Sequence, residues 1–171
     1  MDLERFIRDI PDFPKPGIMF KDITPLLRHP DALHEAIDQL VAPYRDAPPD
    51  ALVAVEARGF LFAAAAAVQL GCGVVPVRKP GKLPAETHQV TYELEYGSDA
   101  LEIHRDALQA GDRVVVMDDL LATGGTTAAA VRLVRELGAE VVGSAFLIEL
   151  VFLNGRAQLD DHPVHSVIRI E

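Results

Sequence analysis

The chain has 171 residues, of which 49% are apolar, enough for one sizeable core and short for two. Its formal net charge of −10 argues against general nucleic-acid binding, which needs a basic face, but leaves room for a local basic pocket. The single cysteine, Cys72, excludes an internal disulfide and a cysteine metal cluster, and no apolar run is long enough to span a membrane.

The first residues, Met1-Asp2-Leu3-Glu4-Arg5, are charged early and do not read as a secretory signal. With the lone cysteine they predict a reducing, cytoplasmic setting. Residues 1–44 are interrupted by Pro11, Pro14, Pro16 and Pro25 and read as a small hood, followed by the linker Ala47-Pro48-Pro49-Asp50. From residue 51 onward, α/β alternation sets in. Short apolar runs at 52–55, 74–77, 113–117 and 140–148 predict strands, and an alternating stretch at 164–170 predicts an edge strand. The alanine-rich stretch 59–70 and residues 126–137 predict helices, the second closed by Gly138 as a C-cap. Apolar strands separated by helices predict an α/β fold with a parallel-sheet core covered by helices on both faces, in a single domain.

Ligands of open parallel sheets bind beyond the carboxyl ends of the strands. At one such end stands the stretch VVVMDDLLATGGTT, residues 114–127. Two adjacent carboxylates, Asp118 and Asp119, precede the turn Ala122, Thr123, Gly124, Gly125, Thr126 and Thr127, which opens a helix. Glycines leave the amides bare, hydroxyls add donors, and the helix N-terminus adds positive potential, so the turn can cradle one phosphate group. It lacks the lysine of a nucleotide-triphosphate loop and is not a dinucleotide fingerprint. Carboxylates beside it accept hydrogen bonds from vicinal hydroxyls, which describes a ribose 5-phosphate site.

Further along the sheet, Arg58 and Gly59 follow the first core strand, where a guanidinium can fork a phosphate. Arg78, Lys79 and Lys82 cluster within residues 78–82, and in a chain this acidic they read as a clamp for a polyanion. The polar segment 82–97, bounded by Gly81 and Gly97, reads as a mobile lid. The histidines His29, His34, His88, His104, His162 and His165 show no metal-binding spacing and read as surface or structural residues.

The stretch VVVMDDLLATGGTT resembles the phosphoribosyl pyrophosphate motif of the type I phosphoribosyltransferases. The resemblance extends to FPKPGIMFKDITPLL, VEARGFLFA, VRKPGKLPAET, YELEYGSDALEIHRDAL and LIELVFLNGRAQL, nearly the whole chain. The hood segment and the RKPGKLP and LEYG blocks are similar to the adenine-specific members. The resemblance implies a purine salvage reaction joining adenine to 5-phosphoribosyl 1-pyrophosphate with magnesium, giving AMP and pyrophosphate. It implies that Met19, Phe20 and Lys21 bind adenine, with Phe20 stacking on the ring and the backbone of Met19 and Lys21 reading its Watson–Crick edge. Some relatives carry arginine where this chain has Lys21, and lysine offers no planar fork.

It further implies that Glu95 of the LEYG block is catalytic, standing near N7 of the base and sharing a proton as N9 accepts the sugar, with Tyr96 closing the site. Read alone, Glu95 is an exposed strand carboxylate. Magnesium is expected to be held mainly by substrate oxygens and water, with no dedicated protein ligand. A homodimer is expected, with the basic loop reaching toward the interface, and neither nucleic acid nor membrane is an expected partner. Two alternatives stand beside this reading. One is a different purine or pyrimidine base as acceptor. The other is a transcription regulator of the same fold, for which the acidic chain offers no basic face.

Overall fold

The computed structural model describes residues 1–94 and 97–171. The expected catalytic Glu95 and its neighbour Tyr96 lie outside the described residues. The chain divides into two compact units, Met1–Gln39 and Leu40–Glu171. The first unit ends five residues before the hood boundary at Tyr44 read from the sequence, within helix α2 (Pro30–Val41).

In the first unit, β1 (Arg8–Ile10) and β2 (Phe20–Asp22) form an antiparallel ribbon, and α1 (Thr24–Arg28) follows. The ribbon register sets Lys21 opposite Asp9 and Asp22 opposite Arg8. Both cross-strand pairs close as ion pairs, each at 2.6 Å.

The second unit is built on a five-stranded parallel sheet. Its strands are β3 (Ala51–Val55), β4 (Gly73–Val77), β7 (Arg113–Leu121), β8 (Glu140–Leu150) and β9 (Val164–Ile170), in the spatial order β4-β3-β7-β8-β9. The strand expected at 164–170 is an edge strand, as its alternation predicts. Helix α3 (Gly59–Leu70) packs on β3, β4 and β7, and α4 (Gly125–Glu136) packs on β7 and β8. Val53, Val55, Val114 and Val116 share a core with Ala129, Ala130, Leu133 and Val134 of α4. Leu52, Ala54, Val115 and Met117 alternate to the other face and are wholly buried. Gly138, at φ +83, accepts the left-handed turn after α4 that a side chain resists.

The sequence reading did not resolve the antiparallel hairpin of β5 (Thr87–Glu93) and β6 (Ser98–His104). It buries Val90, Leu101 and Ile103 in the core against α4. Part of the expected lid, residues 82–97, is thus a strand with its root fixed in the core.

Candidate active site

β7 continues past its expected end at Met117, to Leu121. Its pairing with β3 stops at Met117, while pairing with β8 carries on through Leu121. Asp118 and Asp119 therefore stand where one neighbour has fallen away, and a cleft of about 350 Å³ opens there. It is lined by Glu56, Arg58, Lys79, Asp118, Asp119 and the turn from Ala122 through Thr123, Gly124, Gly125 and Thr126 to Thr127. Ten expected site residues are thus brought together. Arg78 and Lys82 do not line the cleft themselves but contact Glu56, which does, as described below. Met19, Phe20 and Lys21 belong to the first unit.

The two aspartates differ. Asp119 is 5% exposed and accepts a 2.5 Å hydrogen bond from Nε of Arg58. Asp118 accepts one from the backbone N–H of Asp119 at 2.8 Å. Burial, and then the neighbouring charge of Asp119, push the Asp118 carboxyl well above the ordinary value, only partly offset by Arg58. Arg58, expected to fork a phosphate, is thus engaged with Asp119. Gly59 has a packing role. A Cβ there would lie 2.8 Å from Oδ1 of Asp118 and 3.2 Å from the Met117 carbonyl oxygen, so glycine lets α3 start directly against the aspartate strand.

Glu56, which sequence reasoning passed over, organises the basic loop. Its carboxylate accepts from Nε and Nη2 of Arg78 at 3.2 and 3.0 Å, from the Lys79 backbone N–H at 2.7 Å, and from Nζ of Lys82 at 3.3 Å. Burial pushes this carboxyl up, but the Lys79 amide, Arg78 and Lys82 outweigh it and hold the carboxyl below its ordinary value. The Lys79 ammonium pairs with Asp99. Tyr92 of the hairpin places its hydroxyl 3.5 Å from Asp99 and 3.4 Å from Oγ1 of Thr126, so the hairpin touches both clamp and cradle. A signal for these carboxylates was present: clustered cations in an acidic chain imply counter-ions.

The cradle is held from behind. Gly124 adopts φ +89, and α4 begins at Gly125. The 3-10 segment Gly155–Gln158 lies against the turn, and Nε2 of Gln158 donates to the Thr123 carbonyl at 2.8 Å. No periodicity or motif marked this segment for such a role.

In the first unit, Met19 is half exposed and Phe20 meets Phe13 edge-on with ring centroids 5.0 Å apart. The Lys21 ammonium is bonded to Asp9 at 2.6 Å with its side chain 13% exposed. Several histidines have structural partners, His34 pairing with Asp38 at 3.3 Å. His29 Nδ1 accepts from the Ala32 amide, His104 Nε2 accepts from the Ala85 amide, and buried His162 bridges Ser144 and Asp161. Among the described residues, no group of three or more His, Cys, Asp and Glu side chains could hold a metal ion, and no helix is long and apolar enough to cross a membrane.

Comparison with known proteins follows the same lines. The phosphoribosyl transferase domain family matches residues 23–171. The adenine phosphoribosyltransferase of Acaryochloris marina is 57% identical over 168 residues, spanning 98% of this chain and 99% of the relative. The crystal structure of adenine phosphoribosyltransferase from Thermoanaerobacter pseudethanolicus matches with a TM-score of 0.96 at 54% identity, covering 99% of this chain and 98% of that one. The enzyme from Saccharomyces cerevisiae, complexed with an imino-altritol bisphosphate and adenine, matches with a TM-score of 0.91 at 43% identity, over 97% and 96% of the two chains.

Proposed function

The chain belongs to the adenine phosphoribosyltransferase family, and from that premise we infer how its residues form AMP and pyrophosphate from adenine and 5-phosphoribosyl 1-pyrophosphate in purine salvage. The observation that carries the inference is the convergence, in one cleft, of a carboxylate pair, a glycine-threonine helix start and the cations Arg58 and Lys79. In the reaction N9 of adenine attacks C1 of the ribose, the bond to the pyrophosphate oxygen breaks, and the base loses one proton.

The amides of Gly125, Thr126 and Thr127 and the neighbouring residues Ala122, Thr123 and Gly124 cradle the 5-phosphate. Asp118 and Asp119 accept from the ribose hydroxyls. Arg58, Arg78, Lys79 and Lys82 receive the pyrophosphate, exchanging their carboxylate partners for it. Phe20 stacks on the base. With the Lys21 ammonium committed to Asp9, base reading by Met19 and Lys21 falls to backbone groups. Glu95 shares the proton at N7, and the lid segment excludes water.

Magnesium fits this donor set as a substrate-borne ion. Asp118 and Asp119 are too few to cage it, and would meet it through water. When bound, it neutralises charge on the leaving pyrophosphate.

The protein acts as a cytoplasmic homodimer in this reading. Helix α3 is apolar nearly all round, and its outer face shows Leu61 at 51% and Val68 at 84% exposure. Strand β4, next to it, is a sheet edge with Val74 exposed. A helix hydrophobic on every side beside an open edge is suited to burial against a second copy.

The deciding experiment is turnover of adenine, hypoxanthine, guanine, xanthine and orotate with phosphoribosyl pyrophosphate and magnesium. Adenine is expected to be the preferred acceptor, with activity abolished by a chelator and restored by added magnesium. Faster turnover of hypoxanthine or guanine would defeat the assignment.

A further inference from the structure

The turn 122–125 has two sides. One lines the cleft. The other lies against the 3-10 segment Gly155–Gln158, and neither Gly155, Arg156 nor Gln158 lines the cleft itself. The contact is close. A Cβ on Gly124 would lie 2.5 Å from the Gly155 carbonyl oxygen, and a Cβ on Gly155 would lie 2.3 Å from the Ala122 carbonyl oxygen. Both obstacles are backbone atoms that cannot swing aside. The segment is in turn anchored to the sheet by Arg156. Its Nε and Nη2 donate to Glu149 of β8 at 2.6 and 2.7 Å, and its Nη1 donates to the Val164 carbonyl of β9 at 2.8 Å. Glu149 is 3% exposed, and Arg156, against the cost of burial, holds its carboxyl below the ordinary value.

We propose that Gly155, Arg156 and Gln158 are positioning residues for the phosphate cradle, fixing the direction of the Thr123–Gly124 peptide before the ligand arrives. The proposal rests on the phosphoribosyl reading of the cleft. In a trans peptide the C=O and N–H point opposite ways. The Gln158 amide holds the Thr123 carbonyl on the buttressed side, so the Gly124 N–H of the same peptide points away from Gln158, toward the phosphate. A donor already aimed costs no reorganisation when the anion binds. The chain of support runs from buried Glu149 through Arg156 to the Gly155–Gly124 contact and the Gln158 bond.

Gln158 is exposed, so Gln158→Ala leaves the fold intact. The test is titration of the wild type and Gln158→Ala with ribose 5-phosphate, beside steady-state kinetics. Ribose 5-phosphate affinity is expected to fall about three- to tenfold, the share of one hydrogen bond. The KM for phosphoribosyl pyrophosphate should rise by the same factor, while the KM for adenine and kcat stay within about twofold. A merely structural glutamine would not split the two KM values. Gly155→Ala, which must displace the turn, should lose more affinity than Gln158→Ala. Unchanged ribose 5-phosphate affinity in folded Gln158→Ala overturns the proposal. A wild type that does not bind ribose 5-phosphate overturns it together with the phosphoribosyl reading. Binding of ribose 5-phosphate without adenine turnover sinks only the choice of acceptor.

Discussion

Two adjacent aspartates with unequal surroundings should respond unequally to the same substitution. Asp118 sits under a burial and charge penalty that raises its carboxyl, whereas Asp119 is neutralised by Arg58. Sign follows from linkage: a group raised in the folded state contributes stability below its unfolded value of 3.8, and that contribution is lost as pH rises through the folded value. Asp118→Asn is therefore expected to raise the melting temperature, by more at pH about 8 than at pH about 4. Asp119→Asn leaves Arg58 without its carboxylate and should lower it. Both should lose about ten- to a hundredfold in kcat/KM for phosphoribosyl pyrophosphate, one charge-assisted bond of about 1.5–3 kcal/mol each. Thermal melts across pH beside kinetics check this, and near-normal kinetics in both variants would show that the pair serves the fold alone. The pair and its glycine-threonine turn were legible in the sequence because they are contiguous. Gln158 was not, and the clustered cations implied counter-ions without naming Glu56 or Asp99, because each meets its partner from a distant part of the chain.

Elements show the same division. The five core strands and helices α3 and α4 were readable because apolar runs and helical stretches alternate, and α3 occupies the residues expected of it. The β5–β6 hairpin was missed because its strands are polar on one face, and only Val90, Leu101 and Ile103 enter the core. Strand β7 outran its apolar run because pairing with β8, not hydrophobicity, carries it through the aspartates. The basic loop depends on Glu56 as a common anchor. Glu56→Gln keeps the shape but removes the charge that Arg78 and Lys82 share, so the KM for phosphoribosyl pyrophosphate should change while that for adenine does not. Its stability effect has a fixed pH window. Glu56 and Glu149 are held below the ordinary glutamate value of 4.5, so their contribution is present above it and is lost as pH falls through the lowered folded values. Wild type and Glu56→Gln melting curves should thus converge in acid; parallel curves down to pH about 3 would contradict the anchoring role.

The whole molecule carries its activity on a surface that is acidic overall and apolar along α3. If the proposed homodimer forms through α3, Val68→Asp should shift it to monomer in sedimentation, since it places a charge on the most exposed large apolar residue of α3. A dimer that survives both Val68→Asp and Leu61→Asp would place the interface elsewhere. Charge has a separate consequence, which follows from the pairing of Arg58, Arg78, Lys79 and Lys82 with Asp119, Glu56 and Asp99. A bare cluster of four cations would project a field and draw a polyanion in from solution. Here the pairs close that field at short range, and at low salt, where the Debye length reaches about 30 Å at 0.01 M, an approaching visitor meets the net charge of −10. Diffusional encounter of the anionic substrate is then opposed, not steered. Added salt should quicken capture at low ionic strength, the reverse of the behaviour of an open basic funnel. On the proposed assignment of these cations the attraction begins only after arrival, as an exchange of partners in which phosphate oxygens take the places the carboxylates have been keeping.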